Sequence, residues 1–412
     1  LDLAIAIGLL VAIGELSDQA TAGLAFCGEL GLNGSLRHVP GTIALADATA
    51  PLGLVVPLRD MREAALVRHD AAHGVATLAQ LAAILRGQAP WPDLPAPTTP
   101  PEVAAHLDLS DVRGQAVGRH AIEVAAAGHH HLLMIGPPGS GKTMLAERLP
   151  GLLPPLTHAE SLAVTRVHSA AGCALPEGAL LSEPPFRAPH HMASIVALVG
   201  GGSWSMRPGE ISLAAHGVLF LDEMGEFPVA ALEALRQPLE EGVIRISRAG
   251  GTVTFPAQFL LVGAMNPCPC GEGVHEGSCR CTEVARARYA RRLSAPLLDR
   301  FDLVVPLARP DPDELLSLEP GPSTAASAAR VLDARNRAAA RAGAGGEQPP
   351  MCPDARDLIA LRLRAGQLSA RGVHKITRVA RTVADLMNSE EVTAEHVSDA
   401  LSLRRARELV LR

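Results

Sequence analysis

The stretch Gly136-Pro137-Pro138-Gly139-Ser140-Gly141-Lys142-Thr143 combines the residue types that hold a polyphosphate. Glycines let successive backbone N–H groups turn inward, and a helix that follows presents its positive end to the anion. In such a loop Lys142 reaches the β- and γ-phosphates and the Thr143 hydroxyl ligates Mg²⁺. Lysine is otherwise almost absent. Lys142 and Lys375 stand beside a large arginine complement, so a lysine here indicates a compact point charge that a guanidinium fork does not replace. The apolar run Gly217 to Leu221 ends at Asp222 and Glu223. Asp222 suits the Mg²⁺ shell, and Glu223 suits the general base that orients and deprotonates an attacking water. A further apolar run, Gln258 to Met265, ends at Asn266, an amide placed to touch both the γ-phosphate and that water. Arg300 lies in Leu297-Leu298-Asp299-Arg300-Phe301-Asp302. It either reaches a neighbouring subunit's γ-phosphate or makes a local ion pair with Asp299 or Asp302. Arg371 opens a helix in Ser369-Ala370-Arg371-Gly372 and is placed to lean onto the nucleotide from above the pocket.

Two further clusters carry chemistry. Cys268-Pro269-Cys270 and Cys279-Arg280-Cys281 supply four thiols in two close pairs, the donor set of a closed structural Zn²⁺ site. One residue separates the thiols of each pair, where zinc ribbons usually have two or more, so free thiols and a redox pair stay open beside zinc. Cys27, Cys173 and Cys352 stand apart and read as packing residues. His129, His130 and His131 look like a metal tract, but they run straight into an apolar strand and read as a loop or an adenine-side contact. Val243 to Phe255 alternates and turns at Gly250-Gly251 as a hairpin does, carrying Arg245 and Arg248 outward, either as a solvated face or into a channel. Arg286, Arg288, Arg291 and Arg292 load one helical stretch with positive charge.

These residues need an α/β scaffold. Strand, glycine loop and helix occur in that order around Lys142, and the runs ending at Asp222 and Asn266 read as strands of the same sheet. The chain has 412 residues, enough for two or three domains. Its net charge of -6 argues against a broad basic face, so nucleic acid would meet a local patch such as a pore, and 2% aromatics argue against a row of stacking rings. Seven cysteines beside a nucleotide fold suit a reducing cytoplasm rather than a disulfide scaffold. The apolar run from Leu3 to Ile13 lies between Asp2 and Glu15, well short of the ~20 residues of a spanning helix, and reads as a buried helix. Phe26 to Val39 reads as a hairpin turning at Asn33-Gly34, and residues 59–86 as helical. Six prolines between residues 87 and 108 mark a linker. Domain boundaries are therefore expected at 1–86, 87–108 (linker), 109–309 (nucleotide core), 310–353 (connection) and 354–412 (an all-helical lid).

The assembled pattern resembles the ComM (YifB) family of magnesium-chelatase-like AAA+ ATPases over nearly the whole chain. Its carriers are Phe186-Arg187-Ala188-Pro189-His190-His191, Arg207-Pro208-Gly209-Glu210-Ile211-Ser212-Leu213-Ala214, Asn266-Pro267-Cys268-Pro269-Cys270-Gly271 and Arg378-Val379-Ala380-Arg381-Thr382. The resemblance implies that Lys142 and Thr143 form Walker A, Asp222 and Glu223 Walker B, Asn266 sensor 1, Arg300 a finger acting in trans and Arg371 sensor 2. It further implies a parallel sheet ordered 5-1-4-3-2, a helix-2 insertion from about Phe186 to Arg207, and a C-terminal helical lid. The N-terminal part resembles an incomplete Lon-protease-like α+β domain, one that the chain enters partway. A working Lon-like protease needs a Ser-Lys dyad, and the absence of lysine before Lys142 argues against proteolysis there. ATP and Mg²⁺ as ligands, a homo-hexamer, and DNA branch migration in natural transformation are the implied cofactors, assembly and activity, with Arg207, Arg245 and Arg248 gripping DNA phosphates. A chelatase motor and a protein-remodelling ATPase, for which Trp204 would be the threading aromatic, are the competing readings.

Overall fold

The computed structural model describes residues 1–94, 107–176, 179–202, 206–248, 251–272, 279–316, 321–343 and 350–405. Most of the proline-rich linker, Trp204, Gly250 at the hairpin turn, and Gly273 and Gly277 between the cysteine pairs lie outside the described residues, as does the Arg248 side chain. The chain forms two compact units, one of residues 1–94 with 156–182, the other of residues 107–155 with 183–405.

The larger unit is built on one sheet of five parallel strands in the order Leu303–Pro306, Leu132–Ile135, Leu260–Met265, Val218–Leu221, Phe186–Arg187. Numbered along the chain this is 5-1-4-3-2. Consecutive residues of the central strands serve opposite faces. Leu132, Met134, Phe220 and Val262 pack into one core, while Leu133, Ile135, Leu221 and Leu261 pack into the other. Burial on both sides explains why these strands are continuous apolar runs rather than alternating ones. Helix Ala116–Gly128 covers the first face together with Thr324–Gly343, Pro353–Arg364, Ala370–Leu386 and Ala394–Ser402. The last four make up the helical layer, so Thr324–Gly343, read from sequence as part of a connection, packs its buried Val331 and Ala334 as a full member of it.

Val243–Arg248 and Gly251–Pro256 form the expected antiparallel hairpin, pairing Val243 with Pro256 and Arg248 with Gly251. Ile244, Ile246 and Phe255 turn inward, and Arg245 and Ser247 turn outward.

The smaller unit holds a three-stranded parallel sheet, Leu24–Phe26, Gly53–Pro57 and Ala72–Val75, flanked by short helices. Its small hairpin pairs Glu29 with Arg37 on either side of the Asn33-Gly34 turn. Two expectations change here. The first helix, Asp2–Ala12, buries Leu3 and Ile7 but exposes Ile5 and Leu9, so it is one-sided rather than buried all round. The 59–86 segment is two helices, Met61–Arg68 and Leu78–Leu85, separated by strand Ala72–Val75, whose four residues are too few to show a period. The unit is completed by Leu156–Ser182, which sequence placed in the nucleotide core. Helix His158–Ala171 joins it through Gly41 N–H to Ser169 O at 3.0 Å and through ion pairing of Arg166 with Asp47. Among the described residues no helix is long and apolar enough to cross a membrane.

Candidate active site

The phosphate loop joins the C-terminal end of strand Leu132–Ile135 to helix Lys142–Arg148. Gly136 passes so close to its neighbours that a Cβ there would fall 2.4 Å from Leu307 O, and Gly141 caps the helix at φ +80°. Both positions require glycine. Lys142 is buried, and its Nζ donates to Gly136 O at 2.8 Å and Pro137 O at 2.9 Å, with Asn266 Oδ1 at 3.4 Å. Burial lowers its pKa, against the pull of Asp222 and Glu223, which favour the charge. Thr143 Oγ1 donates to Asp222 Oδ2 at 2.8 Å, bringing two hard oxygens together as a Mg²⁺ site requires. Asp222 Oδ1 accepts from the Glu223 N–H at 2.8 Å. Glu223 itself stands at φ +48°, a left-handed conformation that costs a non-glycine residue energy. That turn sets its carboxylate in the same cavity as Asp222.

The cavity measures about 510 Å³ and is lined by the phosphate loop, Asp222, Glu223, Met265 and Asn266. Val112, Gln115, Pro310 and Leu315 close its other side. Gln115 is fixed there by donating to Ala308 O at 2.6 Å.

Sequence reasoning missed one neighbour of Glu223. His191 Nδ1 lies 3.2 Å from Glu223 Oε2, and the His190 and His191 ring centroids lie 4.1 Å apart with their planes tilted by 34°. The segment carrying them is anchored by Arg187, whose guanidinium forks onto Glu210 at 2.6 and 2.8 Å. The signal was present in the Phe186–His191 and Arg207–Ala214 motifs, but only the fold shows that they meet.

Arg300 and Arg371 do not enter this cavity. Asp299, Arg300 and Asp302 precede strand Leu303–Pro306 and therefore stand at the N-terminal end of the sheet, whereas the phosphate loop follows the C-terminal ends. A four-residue parallel strand separates the two ends by roughly 13 Å. Arg300 pairs with Glu240 rather than with Asp299 or Asp302, and its Nε is buried without a hydrogen-bond partner. Burial first, then Arg371 and Arg236, lower its pKa. Arg371, highly exposed, lies 3.5 Å from Asp299 Oδ2. It shares the face of Arg300 and does not lean over its own nucleotide loop, because helix Ala370–Leu386 docks against Ala116–Gly128 and the sheet's far end. Lys375, on the same helix, fixes that docking by reaching Asp302 Oδ1 at 3.2 Å and Phe301 O at 3.1 Å.

The three histidines belong to this far end too, and none lines the nucleotide cavity, which corrects the adenine-side reading. His130 Nε2 meets Thr382 Oγ1 at 2.8 Å, and His131 Nδ1 accepts from the Leu261 N–H at 3.1 Å. Burial drives His131 down to about 3, and Asp302 is held below the usual carboxylate range by His130 and Lys375 despite its burial. Arg207 and Arg245 are exposed, Arg245 pairing with Glu241. The four cysteines place their sulfurs within 4.8 Å of one another, a cluster that can hold a metal. Backbone N–H groups of Glu272 and Arg280 lower the Cys270 thiol to about 6.

A parallel sheet with a glycine phosphate loop after its second strand in spatial order, an acidic pair after the next but one, an amide after the strand between them and a helical layer defines an AAA+ ATPase, a class that uses ATP and Mg²⁺. Three stretches match family profiles described as magnesium chelatase, subunit ChlI (108–315), its C-terminal part (321–404), and subunit ChlI of Mg-chelatase (1–59). The chain is 41% identical to protein YifB of Escherichia coli over all of its own length and 83% of that protein's. It is 40% identical to competence protein ComM of Haemophilus influenzae, covering 98% of this chain and 82% of that one. An uncharacterised Mycobacterium tuberculosis protein shares 44% identity over 98% of this chain and 83% of its own. The chain belongs to the ComM/YifB family of magnesium-chelatase-like AAA+ ATPases.

Proposed function

We propose that this protein hydrolyses ATP at the interfaces of a closed ring and uses the cycle to move DNA, as a branch-migration motor in recombination or DNA uptake. The observation that carries the interface reading is the separation of Arg300 and Arg371 from the loop of their own chain. Two arginines at the sheet's far end, one with a buried unpaired Nε, serve a second copy's nucleotide.

In each site Lys142 neutralises the β- and γ-phosphates and the Asn266 amide orients the lytic water. Glu223 takes that water's proton as its oxygen attacks the γ-phosphorus and the bond to the bridging β-γ oxygen breaks, leaving ADP and phosphate. Thr143 and Asp222 would hold Mg²⁺, which would supply positive charge against the phosphate oxygens. Arg300 and Arg371 of the neighbour meet the charge that develops on the transferred group, which closes the active constellation only across an interface.

The DNA reading is supported by the hairpin, whose Arg245 faces outward, by exposed Arg207, and by the relationship to a competence protein. A hexamer and a cytoplasmic location are part of the same proposal. The deciding experiment is the ATPase rate with branched, single-stranded and duplex DNA at two salt concentrations, since phosphate contacts weaken as salt rises. Stimulation that is greatest with branched DNA and falls with salt is the expected result. A rate indifferent to every DNA but raised by an unfolded polypeptide or a chelatase partner would replace the DNA motor with one of its rivals.

A further inference from the structure

The cysteine cluster stands where the catalytic amide leaves the sheet. Cys268 is fully buried two residues after Asn266, and Cys270 follows it. Three of the sulfur separations are 3.3 Å (Cys268 to Cys270), 3.6 Å (Cys268 to Cys279) and 3.8 Å (Cys270 to Cys279). A tetrahedral ion with Zn–S bonds of ~2.3 Å sets its sulfurs ~3.8 Å apart, so the polypeptide holds these thiols close to the edges of that tetrahedron. A disulfide would need ~2.05 Å. An iron–sulfur cluster, whose thiolates bind separate irons, needs a wider frame. Four sulfurs around a single point select a borderline-soft, tetrahedral ion.

What the cluster touches gives the site its consequence. Gly271 takes φ +80° and lies so near the phosphate loop that a Cβ would fall 2.6 Å from Pro138 Cδ. On the other side the Asn266 backbone N–H faces the hydroxyl of buried Tyr289. Glu272, one residue further, pairs with Arg309 at 2.8 Å. Residues 266–272 thus connect the amide, the cysteines and the phosphate loop in one short loop, and Cys268 is its one fully buried apolar anchor among the described residues. A loop with so little core of its own is a natural place for a metal to supply the missing stabilisation.

We propose that Cys268, Cys270, Cys279 and Cys281 bind one structural Zn²⁺, and that the bound ion fixes the Asn266 loop against the phosphate loop. The mechanical consequence rests on the ATPase reading; occupancy does not. The full chain, purified without chelator, is expected to carry one zinc with four sulfur neighbours at ~2.3 Å by X-ray absorption. Removing the metal with a chelator is expected to speed amide exchange of residues 264–272 and of the phosphate loop by about tenfold or more, while strand Gly53–Pro57 is unchanged. Cys270→Ser is expected to lower zinc retention about tenfold, and Cys281→His, which keeps four ligands, to retain the ion should the serine variant fail to fold. Metal content near zero, or exchange in the Asn266 loop that is unaltered by metal removal, overturns the proposal. A zinc-loaded protein that hydrolyses no ATP would refute the ATPase reading and leave these measurements as they stand.

Discussion

Arg300→Ala tests the shared site most directly. Its local cost is small, because the side chain is 27% exposed and its partner Glu240 is 54% exposed. A pair that open contributes at most about 1 kcal/mol, so the variant should melt close to the parent. Nucleotide affinity should hold as well, since the cavity is lined by other residues. Turnover, in contrast, should fall by about 10³-fold or more, the loss that follows removal of a trans-acting arginine. Mixing supplies the quantitative check. In an equal mixture with Glu223→Gln, a working interface needs Glu223 from one subunit and Arg300 from the next, each present half the time, so about a quarter of interfaces recover. Steady-state ATPase of the mixture should therefore approach a quarter of the parent rate from two nearly dead components. The same arithmetic locates Arg371. Arg371→Ala mixed with Arg300→Ala should recover nothing if one neighbour supplies both side chains, and about a quarter if Arg371 served its own nucleotide. An Arg300→Ala protein that keeps its activity, or a mixture with Glu223→Gln that recovers none, would refute the reasoning.

The remaining tests are simpler. His191→Ala removes the ring 3.2 Å from the Glu223 carboxylate and should lower kcat about tenfold with little change in KM; steady-state kinetics that leave kcat untouched would take His191 out of the mechanism. Arg245→Ala should weaken DNA binding and reduce the slope of log affinity against log salt by about one, measured by fluorescence anisotropy at several salt concentrations; an unaltered slope would place the hairpin away from the phosphates. Acid should destabilise the larger unit before its carboxylates titrate. His131 is lowered from the ordinary histidine value to about 3 by burial, so the unfolded chain binds the extra proton first. Stability is present above about pH 6.5 and drains away below it, by about 1.4 kcal/mol per pH unit for this group. Denaturation midpoints at pH 7.5 and 5.5 should show the fall, His131→Asn should flatten it, and equal midpoints for the parent would contradict the assignment.

The nucleotide loop was legible because its chemistry is local. Strand, glycines, lysine and helix follow one another within about fifteen residues, and the acids after Leu221 and the amide after Met265 repeat one rule, that polar groups follow the C-terminal ends of buried parallel strands. Arg371 was not legible. Its position depends on which side of the sheet the helical layer covers, and that is decided by Ile376, Val379 and Val383 packing with Ala121 and Val124. Periodicity shows that this helix has an apolar face but not what the face meets. The histidines misled for the opposite reason. They adjoin the phosphate-loop strand in sequence but sit at its other end in space. Both lysines, singled out by scarcity, proved to occupy tight polar sites. Lys142 sits between two carbonyls of its loop, and Lys375 joins the Asp302 carboxylate to the backbone beside Arg300.

The smaller unit borrows its last helix from a loop inserted between two strands of the ATPase sheet. A cut in the proline-rich linker therefore would not yield two self-sufficient halves. The leading fragment would lack the helix that covers Thr42–Ala48, and the trailing fragment would carry that helix with its buried Val164 and Val167 bared to water. Truncations placed at the linker should come out insoluble or remain associated after cleavage. A clean excision has to take both pieces, or a redesigned short turn must replace residues 156–182.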